Sequence, residues 1–67
     1  MAKPSNFRRT AIEIEIRDCY TASVDSCKAD GLSQVQAHES AWRNTIDTFP
    51  QISTGDLALA VRGLEDL

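Results

Sequence analysis

Sixty-seven residues make one domain at most, and a chain this short buries only about 60% of its unfolded surface. A net charge of −3 and charges breaking every apolar run well below about 18 residues exclude a membrane-spanning helix and disfavour broad phosphate-backbone binding. The charge is also segregated. Residues 1–12 carry Lys3, Arg8 and Arg9 and no acid, whereas residues 13–67 carry four basic and ten acidic side chains.

Residues 1–6 read as a flexible basic arm and residues 7–67 as a single helical domain. Pro4 disfavours helix at Lys3, and Ser5 or Asn6 can cap a helix beginning at Phe7. No apolar stretch comes after the basic start, so no secretion signal is expected and a cytoplasmic location is the expectation. Lys3, Arg8 and Arg9, extended by Arg17, are the residues available to a nucleic acid.

The run Thr10–Arg17 alternates Ile12, Ile14 and Ile16 with Glu13 and Glu15. Read as a strand, it puts three isoleucines on one face and makes the chain α+β, with a short strand at 10–17. Read as a helix at about 100° per residue, it joins a longer pattern. Ile12, Ile16, Cys19, Tyr20, Ser23, Val24 and Cys27 then fall within about 140° of one another. Arg9–Glu13 and Glu13–Arg17 are opposite charges at i,i+4, which also supports helix. The first helix is therefore expected over 7–30, ended by Gly31 in the left-handed C′ position. In that helix Ile14 points about 160–200° away from Ile16 and Ile12, with Phe7 near it.

The second helix is expected over 33–49. Ser33 and Gln36 form a capping box, Leu32 stands ready as a staple, and Pro50 stops the helix. Val35, Trp42, Ile46 and Phe49 recur as its inward stripe. Glu39 lies within that stripe, where it either contacts a partner or reaches the edge to pair with Arg43. His38 flanks the stripe and reads as a structural histidine. The third helix is expected over 53–66, capped by Ser53 with Asp56 at the capping-box position. Leu57, Ala60, Val61 and Leu64 form its stripe, and Leu59 points about 200° from Leu57.

These elements predict a small all-α protein. Helices 1 and 2 form an antiparallel hairpin, helix 3 packs across it, and the small core favours self-association as a homodimer. Cys19 and Cys27, eight residues apart, stand about 12 Å apart along one helix, too far for a disulfide within the chain. With one histidine they make no zinc spacing, so no metal or cofactor is expected. The glycines build no phosphate loop, and the chain has few tools for catalysis, so a non-enzymatic role is expected. Apolar residues off the inward stripes suggest an interface instead. Phe7, Ile14, Leu59 and Glu39 are the candidate partner-binding residues of a small acidic regulator or inhibitor. Its partner would be a protein, and the surface it covers could be that partner's nucleic-acid-binding face. The alternatives are a nucleic-acid-binding regulator using the arm and a structural subunit of a helical assembly.

Overall fold

The computed structural model describes residues 4–65, with side chains from residue 11 onward. Three helices occur in chain order: α1 (Pro4–Ala29), α2 (Gln34–Thr48) and α3 (Thr54–Ala60). No strand occurs among the described residues, and the Ile/Glu alternation lies wholly within α1. Helix α1 packs chiefly on α2, and α3 closes against both.

α1 starts three residues earlier than position 7. Proline is tolerated in a first helical turn, where its missing N–H would have no intrahelical partner and its fixed φ already suits the helix. At the other end the expected glycine stop is present. Gly31 has φ +93°, its N–H donates to the Lys28 carbonyl at 3.0 Å, and the Leu32 N–H donates to the Cys27 carbonyl at 3.1 Å. This pair of bonds is a Schellman motif, and it satisfies carbonyls the helix leaves open.

α2 is capped as its sequence implies. The Ser33 side chain accepts from the Gln36 N–H, and the Gln36 side chain accepts from the Ser33 N–H at 3.2 Å. Its inward face, however, is turned from the expected one. The fully buried positions are Ala37, Ala41 and Thr45, spaced four apart, while Trp42, Ile46 and Phe49 are half-buried along the flank. Small side chains let α1 approach closely, and the separation of packed helices depends on the side chains at the contact. The larger residues are turned toward α3. Val35, expected in the stripe, is 78% exposed, because α3 stops at Ala60 and leaves that end of the face uncovered. Thr45 is buried without cost, since its hydroxyl donates to the Ala41 carbonyl at 2.7 Å.

α3 is half the expected length. Ser53 caps it by accepting from the Asp56 N–H at 3.2 Å. It ends at Ala60, and the Leu64 N–H closes a turn onto the Val61 carbonyl with Gly63 at φ +90°. This left-handed glycine sits inside the range expected to be helical, and it is the stop signal that the Leu57–Leu64 stripe masks. Leu57 and Ala60 are buried, and Val61 and Leu64 pack on the core as the stripe predicted.

The core has two connected parts. One joins Tyr20, Val24, Ala37 and Ala41 between α1 and α2; the other joins Ile16, Leu57 and Ala60 between α1 and α3. Trp42 and Val61 pack against both, so the indole is the joint between them.

Candidate interaction surface

The face between α1 and α3 carries an open groove of about 230 Å³, lined by Ile12, Ile16, Ile52, Leu59 and Ala60 with Glu13 and Asp56. Ile16 and Ala60 form its buried floor. Ile12 and Leu59 are 41% and 56% exposed. The expectation that Ile12 is a core residue fails here. Asn44 of α2 lies opposite Cys19 and Ser23, so α2 ends near residue 16 of α1, and residues 11–15 are exposed. The short α3 leaves the other side open.

Arg17 fixes this part of the fold. Its guanidinium Nη1 donates to the Ala60 carbonyl at 2.9 Å and to the Arg62 carbonyl at 3.0 Å. The last carbonyls of a helix carry partial negative charge and lack intrahelical donors, so a cation there is favourable. Arg17 thereby ties α1 to the end of α3 and sets the width of the groove. Its side chain is engaged within the fold rather than held out for a nucleic acid.

The partner-binding candidates whose side chains are described, Ile14, Leu59 and Glu39, do not form one patch. Leu59 lines the groove, but beside Ile12 rather than Ile14. Ile14 is 54% exposed and points to the opposite side of α1. Glu39 is exposed on α2, because the rotation of the inward face carries it out of the stripe. Phe7, Arg8 and Arg9 belong to the first turns of α1, with side chains outside the described residues, and Lys3 lies outside them altogether.

Two other hollows mark the surface. One, of about 490 Å³, is a shallow trough between α1 and α2 lined by small side chains. It includes both cysteines, which are half-buried and unpaired with each other. Asn44 spans it, its Nδ2 donating to the Ser23 hydroxyl at 2.7 Å. The second lies beside Tyr20, His38, Val35 and Glu65. There the Tyr20 hydroxyl meets His38 Nδ1 at 2.7 Å, with the rings tilted by 57° and centred 5.5 Å apart. Burial pushes the Tyr20 pKa up, and the nearby Glu65 carboxylate adds to the shift. The phenol is thus protonated at neutral pH, and it shares a hydrogen bond with the imidazole. The pair braces α1 against α2, the structural role the sequence suggested for His38. Among the described residues no group of three His, Cys, Asp or Glu side chains is placed to hold a metal ion, and no helix is long and apolar enough to cross a membrane.

Compared with protein families, with characterised proteins and with solved structures, the chain matches none.

The groove could not be read in full from the sequence. Leu59 was visible as an off-stripe leucine. Ile12 was hidden inside a continuous stripe, and only the lengths of α2 and α3 determine where that stripe loses its cover.

Proposed function

We propose that this protein is a non-enzymatic protein-binding module, a small acidic regulator or inhibitor that acts through a helical surface on a protein partner. The observation that carries the reading is the α1–α3 groove, where Ile12, Ile52 and Leu59 lie beside the carboxylates of Glu13 and Asp56. Apolar side chains left in water next to acids suit a partner that presents an apolar anchor flanked by lysine or arginine. The nucleic-acid-binding face of another protein has that chemistry, and occupying it would block that protein's own ligand. The acidic body, net −6 over residues 13–67, adds long-range attraction to such a partner.

The probe is an amphipathic helical peptide rich in lysine and arginine, titrated into the protein by calorimetry. Saturable binding is expected, at least tenfold weaker for Leu59→Asp and several-fold weaker for Glu13→Gln with Asp56→Asn. Ile14→Asp should leave it unchanged, since Ile14 lies off the groove. Equal binding by wild type and Leu59→Asp would overturn the assignment. Capture from the source cell with wild type and Leu59→Asp, with mass determination of the complexes, then identifies the physiological partner.

A further inference from the structure

We propose that α3 is a hinged wall of the groove, held shut by Arg17, and that it opens while the α1–α2 hairpin stays folded. Groove and wall are then linked, so a ligand of the groove also holds α3 down. The linkage rests on the groove being the binding surface assigned above; the opening does not.

The groove belongs to two elements. Ile12, Glu13 and Ile16 stand on α1, whereas Ile52, Asp56, Leu59 and Ala60 stand on α3 and the connector before it. Undocking α3 therefore abolishes the groove rather than widening it. α3 has seven residues, and a helix that short is unstable alone in water, so it keeps its shape only while docked.

Its docking is local. Leu57 and Ala60 bury against Ile16, and one nitrogen of Arg17 gathers the carbonyls of Ala60 and Arg62, which the turn through Gly63 brings together. Val61 and Leu64 add half-buried contact, and Gln34 Nε2 donates to the Glu65 carbonyl at 3.1 Å. The hairpin has its own buried cluster, Tyr20, Val24, Ala37 and Ala41, which contains no residue of α3. A segment whose release leaves such a unit intact opens at lower cost than the whole fold. The hinge is the connector between Phe49 and Ser53, because α2 and α3 are capped separately on either side of it.

Arg17 is thus a positioning residue. It does not line the groove, and it acts on a ligand through α3. Its charge alone would have the opposite sign. Removing a cation beside Glu13 and Asp56 would tighten the binding of a basic peptide, whereas releasing α3 weakens it.

Native-state hydrogen exchange along a urea series reads the opening with no ligand present. The Leu57 and Val61 amides, bonded to the Ser53 and Leu57 carbonyls, should be protected at least tenfold less than those of Ala41 and Thr45 in α2. Arg17→Met should lower their protection about tenfold further and leave α2 unchanged, as expected for a lost charge-assisted bond. Arg17→Lys, which keeps a cation able to donate, should recover part of it. Equal protection in α2 and α3 throughout the series means one cooperative unit and overturns the proposal. So does an Arg17→Met chain whose α2 amides quicken as much as its α3 amides. The lysine- and arginine-rich peptide is then added. It should protect the Leu57 and Val61 amides, and Arg17→Met should bind it several-fold more weakly. Val24→Ala, which weakens the hairpin core instead, should bind it like the wild type while it stays folded. Peptide binding by Arg17→Met as tight as the wild type, or tighter, overturns the linkage. A peptide that does not bind the wild type overturns the groove reading and the linkage together, and the opening is still decided by exchange.

Discussion

The seam between α1 and α2 has a fully buried apolar centre with polar contacts along its edges, whereas the seam between α1 and α3 is tied by a charged side chain beside an open groove. On the first, Ala37 and Ala41 pack against Tyr20 and Val24, and the buried Thr45 hydroxyl is satisfied within its own helix. On the second, Leu57 and Ala60 meet Ile16, but a charged side chain holds the ends together beside an uncovered groove. The contrast separates two jobs. Small residues at even spacing bury the centre of the α1–α2 seam completely. A seven-residue helix tied down by one arginine leaves apolar surface at its edge, and function requires such surface.

The largest expected effect is at the buried centre of the α1–α3 seam. Leu57 is fully buried and shared by α3, α1 and the indole flank, so Leu57→Ala should cost about 2–5 kcal/mol in urea unfolding. In a 67-residue chain that is a large share of total stability, and α3 should detach. The α1–α2 seam is challenged from the opposite direction. Ala41→Leu inserts volume at a fully buried position packed with Tyr20 and Val24, and should cost about 1–3 kcal/mol by forcing the helices apart. If Ala41→Leu is neutral, the α1–α2 seam is looser than its alanines imply.

Arg17→Met keeps the aliphatic stem and removes the hydrogen bonds to the carbonyls of Ala60, at the end of α3, and Arg62, just beyond it. A loss of about 1.5–3 kcal/mol is expected for charge-assisted bonds, toward the lower figure because the side chain is only half-buried. Hydrogen exchange should quicken in α3 and not in α2. Uniform acceleration across all three helices would mean that Arg17 supports the whole fold rather than one seam.

What the sequence made legible was local. Caps at Ser33 and Ser53, the left-handed Gly31 and the continuation of the Ile12–Ile16 stripe through Tyr20 and Val24 gave three helices without any tertiary information. What stayed hidden was relational. The inward face of α2 is lined by alanines, which carry little hydrophobic signal, so the larger Val35–Trp42–Ile46–Phe49 stripe looked like the contact. Arg17 read as a helix-surface charge because its partners are backbone carbonyls more than forty residues away, which no side-chain pattern encodes. The groove depends on where α2 and α3 stop relative to α1. Leu59 could therefore be named in advance, while its neighbour Ile12 could not.

The smallest expected effect concerns the brace at the α1–α2 seam, and it depends on pH. Tyr20 has its pKa raised by burial and by Glu65, so the folded state holds the phenolic proton more tightly than the unfolded chain. The stabilisation is complete below the unfolded value of about 10. It is lost as pH rises from there through the folded value, because the unfolded chain ionises first. Other groups titrate in that range, so the comparison is with Tyr20→Phe. At pH 7 the variant lacks the bond to His38 and should be about 1 kcal/mol less stable. Above pH 10 it should decline less steeply than the wild type, and the two stability curves should converge. Parallel curves would show that the phenolic proton contributes nothing to the seam, and that Tyr20 acts there only through the packing of its ring.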